Sequence, residues 1–148
     1  MGIFRSIQAT TSGLSAQRVR MDTVSANVAN IDTTRTPDGD GPYQRHVVRF
    51  SSADQSLPFS NIVQRFTGQA DTGVVLTNVD LDTVSPTREV YDPAHPDANE
   101  DGFVEMPNVD LVVEMTDLTS ANRSYQANAT VLNALKQMAL RALDIGSR

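Results

Sequence analysis

Residues 107–146 read PNVDLVVEMTDLTSANRSYQANATVLNALKQMALRALDIG, and the rest of the chain is organised around them. No Gly or Pro falls between Asn108 and Ile145, so nothing in the stretch breaks a helix. Asn108 is the expected N-cap, Asp110 falls where the helix dipole is positive, and Gly146 supplies the stop. At ~1.5 Å per residue, Val109 to Ile145 makes a rod about 55 Å long. Few domains of this size can bury such a rod alone.

The apolar pattern gives the rod a purpose. Leu111, Leu118, Tyr125, Leu132 and Ala139 recur every seven residues, with Met115, Ala129 and Leu143 four residues on. Ala121, Leu135 and Ala142 widen the stripe, and Val131, Met138 and Ile145 flank it. This is a face for lying along other helices. Asn122 and Lys136 interrupt the seam, and alanines thin it.

A second helix-period segment runs from Ile3 to Ile31. Ile7, Leu14, Met21 and Val28 are spaced by seven. Ile3, Val24 and Ile31 share the adjoining row, completed by the polar Thr10 and Gln17. Gly13 costs roughly 1 kcal/mol inside a helix, a cost that close helix approach would offset. Two long helices with thin stripes therefore bracket the chain.

Between them the texture changes. TRTPDGDGPY (34–43) is turn chemistry. Tyr43–Phe50 reads as a strand, 51–72 as a loop or insertion with a short strand at Asn61–Phe66, and Gly73–Thr83 as an alternating strand. In that last strand Val75, Val79 and Leu81 face one way, and Asn78, Asp80 and Asp82 the other. Arg88–Tyr91 and Phe103–Met106 complete a small antiparallel module of about four strands. The fold class expected is α+β. Residues 1–31 and 109–148 form a discontinuous coiled-coil domain, and 32–108 a small β-rich one with its insertion at 51–72.

Composition narrows the function. The net charge of −6 lies in the middle of the chain, because the first thirty residues are basic and the last forty balance. An acidic middle argues against nucleic acid, which needs clustered Lys and Arg. No apolar run near 18 residues inserts into a membrane, and the N-terminus lacks the apolar core of a cleavable signal peptide. There is no Cys for disulfide or thiolate chemistry.

Asp97, Asn99 and Asp101, followed by Gly102, match the opening of a calcium loop. The twelfth position, where a bidentate Glu belongs, is Asn108, so turn chemistry is the better reading. His46 and His95 stand alone, the first as a strand residue and the second in a loop. No phosphate-cradling or nucleophile motif occurs, and neither an enzyme nor a cofactor is expected.

The run Ser12-Gly13-Leu14-Ser15-Ala16-Gln17-Arg18, then Ala26-Asn27-Val28-Ala29-Asn30, resembles the N-terminal signature of bacterial flagellar axial proteins. Ser124–Asn128 and Ala142–Gly146 resemble the matching C-terminal signature. TRTPDGDGPYQR, VYDPAHPDANEDGFV and MPNVD are similar to the proximal-rod branch of that family. The likeness covers 1–50 and 73–148.

It implies paired terminal helices lining a tube with the β module outside, and a structural subunit of the drive shaft that transmits torque to the hook. It implies export through the flagellar type III apparatus without cleavage, and assembly in the periplasm. The implied partners are further copies, other rod proteins and the rod–motor junction protein. Under it, Ile3, Ile7, Gly13, Leu14, Met21, Val24, Val28 and Ile31 pack subunits together, as do Leu111, Met115, Leu118, Tyr125, Leu132, Leu135 and Leu143. Asn27 and Asn30 cap or bridge at the first helix's end, and Asn122 departs from the family's small residues. The alternative is a non-enzymatic adaptor or chaperone presenting a helical hairpin.

Overall fold

A computed structural model describes residues 2–37, 41–53 and 73–146. Helix α1 (Ile3–Ala29) is followed by strands β1 (His46–Ser52), β2 (Val74–Leu81), β3 (Arg88–Tyr91) and β4 (Phe103–Met106), and helix α2 (Leu111–Gly146) closes the order. The layout is α+β. The strand expected at 61–66 lies outside the described residues, as does all of the expected insertion beyond Ala53. Among the described residues, no helix is long and apolar enough to cross a membrane.

α1 and α2 pack against each other along their lengths. Asn27 reaches Glu114 and Gly13 abuts Asn128, so the pair is antiparallel in one register. On α2 the inward row is Glu114, Leu118, Ala121, Asn128, Leu132, Leu135 and Ala139, all buried or half-buried. Asn122 and Lys136, expected to interrupt this seam, lie exposed off it, and Asn122 accepts from Gln126 Nε2 at 3.0 Å instead.

The end of α1 and both ends of α2 differ from expectation in instructive ways. α1 stops at Ala29, short of Ile31: Asn30 leaves helical geometry as the C-cap, with its Nδ2 on the Ala26 carbonyl, and the Ile31 N–H turns back only to Val28. Thr33 Oγ1 then donates to Asn30 Oδ1 at 3.1 Å. The cap of α2 is Asp110, not Asn108. Its Oδ1 accepts from the N–H groups of Val112 (2.8 Å) and Val113 (3.2 Å), two of the orphan donors of a first turn. α2 also runs through Gly146 rather than stopping before it.

Among the described residues the strands form two two-stranded antiparallel sheets. β1 and β2 pair antiparallel from His46–Leu81 to Ser52–Val74, with a bulge at Arg49/Phe50. This ribbon lies along α1. Gly73 rests on Ser12, whose Oγ accepts the Val74 N–H at 3.1 Å, and Arg20 stacks on Phe50 with 5.2 Å between guanidinium carbon and ring centre.

β1 begins at His46 rather than Tyr43. The Arg45 carbonyl still accepts from the Asp82 N–H, but the Arg45 N–H and the Asp82 carbonyl are both taken by the Asn108 side chain. Ser51 and Ser52, expected in the loop, extend the strand. The alternation of β2 does not become a buried face: Val75, Val79 and Leu81 are exposed, while Asp80, paired to Arg49 at 3.1 Å, is half-buried. β3 and β4 form a hairpin closed by an edge-on Tyr91–Phe103 contact, 5.2 Å between centroids. Gly102 makes its turn at φ +82, where a side chain would also meet Pro93.

Candidate functional site

The polar centre of the molecule joins the helix pair to the β ribbon. Glu114, on the inward row of α2, is 0% exposed, and Asn27 of α1 is 1% exposed. Burying a carboxylate costs heavily unless it is paired and hydrogen-bonded. Here Arg45 donates from Nε to Oε1 at 2.6 Å, and Asn27 Nδ2 to Oε2 at 3.1 Å. Arg45 extends towards Asp117 (3.7 Å) and Asp82 (3.9 Å) as well. Asn27 is satisfied on both sides, since its Oδ1 accepts from the His46 N–H (2.9 Å) and Tyr43 OH (3.0 Å), and its Nδ2 also reaches the His46 carbonyl. Tyr43 OH lies 2.7 Å from His46 Nδ1.

Asn108, freed from capping, fastens the β module. Its Oδ1 accepts the Arg45 N–H at 2.8 Å, and its Nδ2 donates to the carbonyls of Asp82 (2.9 Å) and Ser85 (3.1 Å). Sequence reading singled out Asn27 and Asn108 but passed over Glu114 and Arg45. One signal was present, for Glu114 stands seven residues before Ala121, on the row that continues through Asn128 and Leu135.

Two groups here titrate away from their ordinary values. Burial raises the Tyr43 phenol, helped by the Glu114 carboxylate, so the neutral donating form is the one the fold holds. Asp82 is lowered, first by the N–H and hydroxyl of Ser85, then by the Val84 N–H and Arg45. A depressed carboxylate contributes stability that is complete above its ordinary value of 3.8 and lost as pH falls through the lower folded value. Asp82→Asn should therefore flatten the loss of melting temperature seen on acidification below about pH 4. An acid limb as steep in the variant as in the parent would mean other carboxylates dominate.

The residues expected to pack subunits divide into two sets. Val24 is buried inside the chain, and Ile7, Leu14, Met21, Val28, Ile31, Leu118, Leu132 and Leu135 are half-buried. Gly13 permits the close approach of α2, since a Cβ there would sit 3.1 Å from Asn128 Nδ2. The second set remains uncovered: Ile3, Leu111, Met115, Tyr125 and Leu143 are all exposed. Val112, Val131, Met138, Leu140 and Ile145 join them. Buried apolar residues among those described are Ala16, Val24, Val104, Pro107, Val109 and Ala121, a core without one large side chain.

The calcium-like loop is tied up internally. Asp97 accepts from Thr34 Oγ1 (2.8 Å) and Arg35 (2.5 Å), and Asn99 Oδ1 accepts the N–H groups of Asp101 and Phe103. Among the described residues no group of three or more acids or histidines could hold a metal ion.

Comparison with known proteins agrees with this architecture. A family model described as "Flagella basal body rod protein" matches residues 7–35, and one described as "Flagellar basal body rod FlgEFG protein C-terminal" matches residues 100–145. Similar along the whole length are flagellar basal-body rod proteins FlgC. That of Bacillus subtilis is 46% identical and that of Borreliella burgdorferi 44%, with 99% and 98% of each chain covered. That of Salmonella typhimurium is 38% identical over 99% of each chain.

Proposed function

The chain belongs to the FlgC family of flagellar basal-body rod proteins, and from that membership we propose how it works as a structural subunit of the rod. The helical part, 1–31 with 109–148, polymerises with other axial proteins, while 32–108 forms an outer module fastened to it at the Arg45–Glu114–Asn27 junction. The assembled shaft carries torque from the motor to the hook. Copies of this chain, other rod proteins and the rod–motor junction protein are its neighbours. It reaches the periplasm through the flagellar type III export apparatus, uncleaved.

The observation that carries this reading is the uncovered apolar side of α2. A compact monomer of 16.1 kDa exposes about 7,400 Å², whereas this chain exposes 10562 Å². Each large apolar side chain covered on assembly stabilises by about 1.5–3 kcal/mol. Among the described residues a core of small side chains also suits a chain that must be unfolded for export and gains its rigidity afterwards.

Amide hydrogen exchange on the purified, unassembled chain tests this. Slow exchange is expected at 111–138, where α2 faces α1, and fast exchange from about residue 140 onward. Protection extending evenly to Gly146 would mark a self-contained helical hairpin and favour an adaptor over an axial subunit.

A further inference from the structure

One tyrosine proton decides how the polar centre is wired. Asn27 can be oriented in a single way, because its Nδ2 faces the His46 carbonyl (2.9 Å) and the Glu114 carboxylate (3.1 Å), groups that accept and do not donate. Its Oδ1 therefore faces the His46 N–H at 2.9 Å and the Tyr43 hydroxyl at 3.0 Å. A phenol has one hydrogen to give. Given to Asn27 Oδ1, it leaves the Tyr43 oxygen as an acceptor towards His46 Nδ1, 2.7 Å away. That contact is attractive when Nδ1 carries a proton. Given to Nδ1 instead, the hydrogen would leave the Tyr43 and Asn27 oxygens facing each other at 3.0 Å with nothing between them, and one hydrogen bond would be lost.

We propose that His46 is held with its proton on Nδ1, and that the hydrogen bonds run one way, from His46 through Tyr43 and Asn27 to Glu114. The two rings lie 5.2 Å apart at 34°, which fixes the imidazole against the phenol. Burial, and then the Glu114 carboxylate, raise the Tyr43 phenol, so it stays a donor throughout the range in which imidazoles titrate.

The direction of the chain has a consequence for the fastening of the outer module. Neutral imidazole with Nδ1–H and imidazolium share that proton, so a second proton on Nε2 leaves every bond of the chain in place. The charged groups around His46 are Arg20 and Asp22 of α1, Arg45 before β1, and Glu114 and Asp117 of α2, which line the two cavities that His46 borders. β2 sets the uncharged Leu81 opposite. Acid therefore opens the junction through its carboxylates, and His46 can gain or lose charge without releasing the module.

Long-range proton–nitrogen correlation spectra of the intact chain, labelled with nitrogen-15 in its two histidines, read both ring nitrogens directly. At about pH 8 His46 should show a protonated Nδ1 and an unprotonated Nε2, the reverse of the form that dominates for histidine in water. Down to about pH 5 the Nε2 resonance should move by far the more, and the His46 backbone N–H should keep its exchange protection factor. An unprotonated Nδ1, or protection lost as Nε2 titrates, would overturn the proposal. Tyr43→Phe should return His46 to the Nε2-protonated form, and Nδ1–H persisting without the phenol would also count against it. Should that variant not fold, His46→Asn and His46→Leu decide. The Asn amide places an N–H where Nδ1 stood and should melt close to the parent, whereas His46→Leu should melt about 2–4 °C lower, the shift of one lost hydrogen bond. Equal losses in the two would show that His46 does not act as the donor.

Discussion

Arg45→Ala should lower the stability of the unassembled chain by about 3–5 kcal/mol, the loss typical of breaking a buried ion pair from one side. The truncation leaves Glu114 at 0% exposure with Asn27 Nδ2 as its remaining side-chain donor among the described residues, and removes the link towards Asp82 and Asp117. Domains commonly hold about 5–15 kcal/mol in total. With so small a core, this chain belongs near the bottom of that range, and the variant should be largely unfolded at 37 °C. Urea unfolding followed by helical circular dichroism reads the effect directly. The pair Arg45→Met with Glu114→Leu is the informative control, because removing both charges removes the unmatched carboxylate and should recover most of the loss. A cost below 1 kcal/mol for Arg45→Ala would mean that water reaches Glu114 and that the junction is not what ties ribbon to helices.

The contrast between Glu114 and the helices around it says what a sequence makes legible here. Both helices follow from short-range rules: apolar spacing of seven, uninterrupted helix formers, and Asn30 and Gly13 at positions with local meaning. The pairing of the terminal segments also follows, since each stripe is too thin to stand alone. Glu114 escapes such rules because its burial depends on Arg45, 69 residues earlier, and an acid in a first turn is ordinarily a solvated partner of the dipole. The cap moved for the same reason. Asn108 and Asp110 are equally good caps locally, and only the arrival of Arg45 and Asp82 decides that Asn108 is spent on the β module. The alternation of β2 misleads because it describes a face, and among the described residues that face is left exposed.

Val131→Asp combined with Met138→Asp should abolish swimming while leaving the isolated chain as stable as the parent. Both residues are exposed on α2, seven apart, on the row that ends at Ile145 and away from the row facing α1. Exposed substitutions of this kind usually change monomer stability by no more than about 0.5 kcal/mol. In a polymer the same two carboxylates would replace apolar contacts worth about 1.5–3 kcal/mol each and be desolvated at every copy of the interface. The neighbouring substitution Leu132→Asp makes the complement, because Leu132 faces α1 and its half-buried side chain belongs to the chain's own seam. It should lower the melting temperature of the monomer, which the double variant should not. Swimming on soft agar, secretion into the medium and monomer melting together separate the cases. Normal swimming by the double variant would show that this row faces solvent in the rod. Equal loss of monomer stability in both variants would mean that α2 is covered on all sides before assembly begins.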